Sequence, residues 1–355
     1  MRILYLIGNG FDLNAGLKTG AREFVRTLKE SLEEYSSEAE GRGEVISEGR
    51  KAMLESVRDD IETWADFEIA LGRFTAEVEG LPDPESAFID AYTYLFDLFG
   101  AIVTKEDERA QSLDMTDEVV KSFGKGSTSL LEDVLSNKDK NTIDGVLKNE
   151  TWEVDFVTFN YTCLLDRLVE SVRQANISNR YGKTVQFIQP THVHGLLGDE
   201  WGILIGVDNQ EQIAGKTCRD SERVRNILIK PLSNERAGME RDAQTTNRIS
   251  SAEVIVIFGM SLGKSDAKWW HTLADWLDNR NAPNRRLIIA MRRPAFSPLR
   301  PWEIPDYQDE VKRSFFERAD VTDDDKRSYL ASRIVVPLGS GAFDLPIALP
   351  DSTRD

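Results

Sequence analysis

The chain has 355 residues, 40% hydrophobic and 30% charged, with a formal net charge of −17. That length supplies a core for one large α/β domain or two ordinary ones. A surface this acidic repels a phosphate backbone, so no nucleic-acid partner is expected, and the mildly basic stretches Arg292-Arg293 and 216–225 read as solvated faces. Cys163 and Cys218 are the only cysteines, too few for a disulfide framework or a four-cysteine zinc site, so the expected setting is a reducing cytoplasm. The longest apolar run, 254–258, is far too short to span a bilayer and no export signal is evident, so no membrane partner is expected.

The chain opens on an apolar, β-rich run, 3–7, followed by Gly8-Asn9-Gly10-Phe11-Asp12 and then Ala15-Gly16. Two glycines one residue apart let a backbone bend sharply and approach a ligand. A helix N-terminus behind them offers N–H groups to a phosphate. This reads as the first βα turn of a nucleotide-binding α/β fold; the plain alternative is a strand–helix corner. The spacing is not the common dinucleotide fingerprint, because the third glycine, Gly16, comes six positions after Gly10.

Residues 20–150 are dense in Glu, Lys, Ala and Leu, with apolar residues at helical spacing such as Trp64, Phe67, Leu71 and Phe74. Pro82 and Pro84 separate two helices, and Phe88, Tyr92, Leu95, Phe96 and Phe99 form the next apolar face. Further short strands are expected at 154–159, 185–188, 203–207, 254–258, 287–290 and 334–337. Apolar strands alternating with helices predict a mostly parallel sheet of six to seven strands, covered on both faces. The expected organisation is a Rossmann-like domain of residues 1–25 and 151–345, a helical module inserted over 26–150, and a helical excursion or lid at 208–250.

Ligands of open α/β sheets bind past the strand ends, and four blocks lie there. The first is the glycine turn. The second, Thr158-Phe159-Asn160-Tyr161-Thr162, places an Asn where it offers donor and acceptor to a crevice; an Asx turn or helix cap is the alternative. In the third, His192-Val193-His194-Gly195, two histidines two residues apart share a strand face, so a metal pair with a carboxylate such as Asp199 is conceivable. An acid/base or hydroxyl-binding role suits His194 better, because Gly195 lets a ligand approach. No metal is expected. The fourth is Phe258-Gly259-Met260-Ser261-Leu262-Gly263-Lys264-Ser265-Asp266, whose hydroxyls suit ribose or phosphate, while Ser265 or Asp266 would equally cap the next helix. In a weaker fifth block, Trp64-Ala65-Asp66-Phe67-Glu68, Asp66 and Glu68 do not share a helical face, and Glu68 is either a buried partner or a site acid.

These blocks, taken together in chain order, resemble the AbiH family of bacterial abortive-infection (antiphage) proteins. At greater distance they are similar to the sirtuin superfamily, including the SIR2-like NAD-hydrolysing domains of phage defence. Gly8, Gly10, Ala15 and Gly16 reproduce the sirtuin glycine spacing; Thr158-Phe159-Asn160, His194-Gly195 and Gly259-Met260-Ser261-Leu262 match its later motifs. The resemblance implies a SIR2-like fold, Asn160 holding the nicotinamide ribose and positioning a water, and His194 acting as acid/base at the ribose hydroxyls. Gly8, Asn9, Gly10, Phe11, Asp12, Gly259, Ser261, Ser265 and Asp266 would bind the rest of the cofactor. Three departures stand out. The four-cysteine zinc module is missing, Thr162 stands where the sirtuin motif has Asp, and Met291 stands near where a late sirtuin strand ends in a ribose-binding Asn.

The expected function is therefore an antiphage effector that hydrolyses NAD at the nicotinamide–ribose bond. The alternatives are a non-catalytic nucleotide-binding sensor or scaffold acting with a partner, and a metal-dependent phosphohydrolase or nuclease built on Asp12 with His192 and His194. NAD, or a related nucleotide, is the expected ligand. A homo-oligomer or a defence-system partner protein is expected to keep the effector silent until infection.

Overall fold

In a computed structural model, residues 1–42, 45–129, 134, 136–148, 151–199, 202–291, 300–337 and 343–347 are described. Seven parallel strands form one sheet: β1 (Arg2–Ile7), β2 (Trp152–Thr158), β3 (Val185–Phe187), β4 (Thr191–His192), β5 (Val254–Phe258), β6 (Arg286–Ala290) and β7 (Ile334–Val335). Their order is β3-β2-β1-β5-β6-β7, with β4 pairing on β2 beyond β3. Ile7, at the end of β1, lies beside Thr158 of β2 and Phe258 of β5. The chain winds outward from β1 in both directions, so the β1/β5 junction is a topological switch point with a crevice at its carboxyl edge. This is the expected α/β, Rossmann-like sheet.

Both faces of the sheet are apolar because both are covered. The alternation of a strand sends Ile3, Tyr5 and Ile7 to one face, with Phe156 and Phe258, and Leu4 and Leu6 to the other, with Ile257 and Ile289. The helices that follow β1 are α1 (Gly10–Asn14), α2 (Ala21–Arg42), α3 (Glu48–Asp59), α4 (Phe67–Glu77), α5 (Pro84–Ser112), α6 (Asp117–Thr128) and α7 (Asn137–Leu147). After β2 comes α8 (Leu164–Gln174), then α9 (Lys216–Asp220), α10 (Glu222–Leu228), α11 (Lys230–Arg236) and α12 (Arg241–Ser251). The last three are α13 (Ala267–Leu277), α14 (Glu303–Arg318) and α15 (Asp324–Ala331). Phe123 of α6, Ile143 of α7 and Leu168 of α8 pack on the Tyr5 face; Trp270 of α13 and Phe315 of α14 pack on the Leu4 face. Phe24, Leu71, Phe74, Phe88 and Leu95 form a separate core with Val224 and Leu228. The 26–150 stretch thus divides between two cores, α2–α5 pairing with the 208–250 region and α6–α7 with the sheet.

One expected strand, 203–207, does not join the sheet. Gly202 and Gly206 carry φ of +60° and +158°, and among the described residues the segment makes one bridge, between Val207 and Ile229. Its Ile203, Ile205 and Val207 are buried in the helical core, where the Tyr92 hydroxyl donates to the Ile205 carbonyl at 2.9 Å. The segment reads as a strand because it is apolar and β-branched; tertiary packing, not ladder pairing, uses those side chains. Strand β4, at two residues, is too short to leave a periodic signal. Arg292-Arg293 lie outside the described residues. Among the described residues α5 alone is long and apolar enough to cross a membrane; Phe88, Ala91 and Leu95 on it are buried in the helical core.

Candidate functional site

Segments that end β1, β2, β4 and β5 meet at a cavity of about 530 Å³ at the carboxyl edge of the sheet. From β1 come Gly8, Asn9, Gly10 and Asp12; Asn160 follows β2 and His194 follows β4. Gly259, Ser261, Ser265 and Asp266 follow β5, and Met291 follows β6. Glu68 and Phe67 of α4 and Phe99 of α5 cover the other side. Two larger hollows, of about 770 and 840 Å³, contain none of these residues.

The glycine turn is built otherwise than expected. The N–H of Gly8 donates to the Phe258 carbonyl at 2.9 Å and that of Gly10 to the Gly259 carbonyl at 2.8 Å, so neither serves as a phosphate donor. The turns after β1 and β5 mesh backbone to backbone: a Cβ on Gly10 would lie 2.6 Å from the Gly259 Cα. Gly259, at φ +68°, would place its own Cβ 2.8 Å from the Phe11 nitrogen. Helix α1 has only five residues. Phe11 does not face the cavity. It is buried against Phe123, Phe258 and Phe343, so its expected cofactor role is replaced by a place in the core. Asn9 ties the turn to the following loop, donating from Nδ2 to the Thr19 carbonyl at 2.7 Å.

Asp12 turns inward and is 1% exposed. Its Oδ1 accepts from Asn160 Nδ2 and its Oδ2 from the Thr162 hydroxyl, each at 2.8 Å. Burial pushes the Asp12 carboxyl up to about 7, against the two hydrogen bonds and the His192 charge, which pull it down. With Nδ2 committed, the buried Asn160 Oδ1 has no hydrogen-bond partner among the described residues, a donor-seeking acceptor in a residue that lines the cavity.

The two histidines serve different partners. Both ring nitrogens of His192 face acceptors, Nδ1 the Asn160 carbonyl at 3.0 Å and Nε2 the Asp166 carboxylate at 2.8 Å. The protonated imidazolium satisfies both. Burial works against that charge, but the Asp166 hydrogen bond and charge outweigh it and raise the His192 pKa. His194 instead donates from Nε2 to Asp266 Oδ1 at 3.1 Å. The pair is therefore no chelate, and Asp199 pairs with Arg241 at 3.4 Å. Among the described residues no group of three or more His, Cys, Asp or Glu side chains is arranged to hold a metal. Gly195, at φ +82°, packs against the Gly202 carbonyl and the Arg241 side chain, so its glycine answers a backbone need.

Lys230, marked in the sequence only as a charge that ends a short apolar run, is buried and shares Asp266 with His194. Its ammonium donates to Glu68 Oε1 and Oε2 at 3.2 and 3.1 Å and to Asp266 Oδ1 at 3.2 Å. Burial alone would lower Lys230 and raise Asp266. The Asp266 and Glu68 charges outweigh it for the lysine, and Lys230 and His194 do so for the aspartate, so both stay ionised. Asp266 stands at the start of α13 without capping it, whereas Asp66 caps α4 by accepting from the Ile69 N–H at 3.5 Å. With Asp266 ionised, an N–H on His194 Nε2 meets a carboxylate, and the other ring nitrogen, Nδ1, faces Tyr161. The Tyr161 hydroxyl lies 3.5 Å from Nδ1 but donates to the Leu204 carbonyl at 3.1 Å.

The family model for bacteriophage abortive infection AbiH matches residues 4–289. The chain belongs to the AbiH family. Membership implies a part in antiphage abortive infection. The matched span contains β2, β4, β5 and all of β1 but its first two residues, with every AbiH block noted above, and so the whole cavity except Met291. Comparison with curated proteins finds no match.

Proposed function

We propose that this AbiH protein hydrolyses NAD at the nicotinamide–ribose bond, and that loss of NAD is how it aborts infection. One observation carries the reading: Asn160 and His194, from strands β2 and β4, line the same cavity beside the β1 turn. In the reaction the C1′–N bond breaks and nicotinamide leaves as a neutral base with the bonding pair. Water adds to C1′ and gives up a proton. A ribosyl cation transition state needs positioning and oriented dipoles more than strong acid or base. Asn160 Oδ1 suits the water or a ribose hydroxyl, and His194 Nδ1 suits the departing proton.

The departure at Thr162 weighs less against this reading once Asp12 is considered. The sirtuin motif pairs its Asn with a carboxylate two residues on; here Thr162 and Asn160 both hydrogen-bond to the Asp12 carboxylate. The pyrophosphate, however, is not held by the amides of Gly8 and Gly10, which are already bonded. That occupancy favours the second reading, a cavity that senses a nucleotide and gates assembly with a partner. Incubating purified protein with NAD separates the two: nicotinamide release, lost in Asn160→Ala and His194→Ala, supports hydrolysis. A thermal shift without release supports sensing.

A further inference from the structure

We propose that Lys230 is a positioning residue for His194: held between Glu68 and Asp266, it keeps Asp266 ionised and oriented to accept the Nε2 proton, leaving Nδ1 as the base. The role in catalysis rests on the hydrolase reading above; the role in setting the tautomer does not.

The geometry is specific to that task. The lysine nitrogen and His194 Nε2 share one atom, Asp266 Oδ1, at 3.2 and 3.1 Å. A lysine serving only as a strut between α4 and α11 would need Glu68 alone. Three further carboxylates crowd the cation or its partner: Glu68, Asp66 and Asp208. Burial raises the latter two; the Glu68 charge adds to it at Asp66, whereas the Lys230 charge opposes it at Asp208. Without Lys230 two close carboxylates, Glu68 and Asp266, would face each other in a buried site, and one would take up a proton. A protonated Asp266 no longer fixes the His194 tautomer.

The chain supplies this cation from far away. Lys230 lies 162 residues from Glu68 and 36 from Asp266. Its backbone N–H bonds the Val207 carbonyl at 2.9 Å, while Glu68 Oε1 also accepts from the Gly206 N–H at 3.1 Å. The base form of His194 therefore exists only while α4 and the 206–230 segment are both seated against the strand ends. Helical module, excursion and sheet are thereby interlocked through one side chain.

The test is the tautomer of His194, read from ¹⁵N-histidine NMR of full-length protein without ligand. The wild type is expected to show the Nε2–H form. Lys230→Met is expected to shift His194 towards the Nδ1–H form while the His192 signals stay in place; the double variant Glu68→Gln/Lys230→Met, which removes the stranded carboxylate, is expected to restore it. Lys230→Gln, which keeps a donor without the charge, is the second variant and carries the same expectation as Lys230→Met. Unchanged His194 shifts in a folded Lys230→Met or Lys230→Gln protein overturn the proposal. In turnover, kcat is expected to fall about 100-fold with little change in KM. A wild type that releases no nicotinamide defeats the hydrolase reading, while the NMR comparison still decides the role of Lys230.

Discussion

Asn160 and Asp12 lie 148 residues apart in the chain and are joined by a 2.8 Å hydrogen bond from carboxamide to carboxylate. This bond decides which end of the Asn160 amide remains for a ligand, because Nδ2 is spent on Asp12 and Oδ1 is left over. Replacing Asp12 with Ala strands two buried donors, Asn160 Nδ2 and the Thr162 hydroxyl. Chemical denaturation of Asp12→Ala should show a loss of about 2–4 kcal/mol, and nicotinamide release should disappear with it. A variant as stable as the wild type would mean that the carboxylate does not hold these groups.

The same carboxyl makes stability depend on pH. Its pKa is raised from 3.8 to about 7 in the folded chain, so the folded state keeps a proton that the unfolded state has lost. Its contribution is fully present at low pH and disappears as pH rises from about 4 through about 7. His192, also raised, acts in the same sense, its stabilisation being lost as pH rises through its folded value. Asp266 acts oppositely, and its stabilisation is lost only in strong acid. Between about pH 5 and 8 the wild type should lose on the order of 2 kcal/mol relative to Asp12→Asn. Urea titrations at unit pH intervals measure this, and parallel curves for the two proteins would refute it.

The glycine turn yields a contrast that needs no ligand. If Gly10 and Gly259 existed only to admit a phosphate, alanine there would weaken binding and spare the apo protein. Meshed backbones predict the reverse. Gly10→Ala and Gly259→Ala should each lower apo stability by about 1–3 kcal/mol, measurable by thermal or urea denaturation before any nucleotide is added.

His192 and His194 lie two residues apart yet each is claimed by its own carboxylate, Asp166 or Asp266. Zinc or manganese should therefore produce no thermal shift, and chelator should leave nicotinamide release unchanged. His192→Ala should act through Asn160, whose carbonyl it holds, reducing turnover and stability together. A metal-dependent shift abolished by His192→Ala would restore the chelate.

Local pattern made much of this molecule legible. Runs of Val, Ile and Leu marked the parallel strands, and residues just past them, Asn160 and His194 among them, were marked as site candidates because a strand end is a short-range property. The same logic failed at 203–207, where apolar β-branched residues serve a helical core, and at Phe11, whose place in a glycine turn hid its role in packing. Lys230 gave only the faint signal of a charge ending the run Ile227-Leu228-Ile229.

Sequence by itself determined the α/β class, the strand positions near the site and the family. Only tertiary structure decided what the polar groups do: Asp12 holding Asn160, His192 parting from His194, and Lys230 meeting Asp266. The reason is physical. Backbone periodicity is written in neighbouring residues, whereas a buried charge is tolerable only beside a partner, and here each partner arrives from a distant part of the chain.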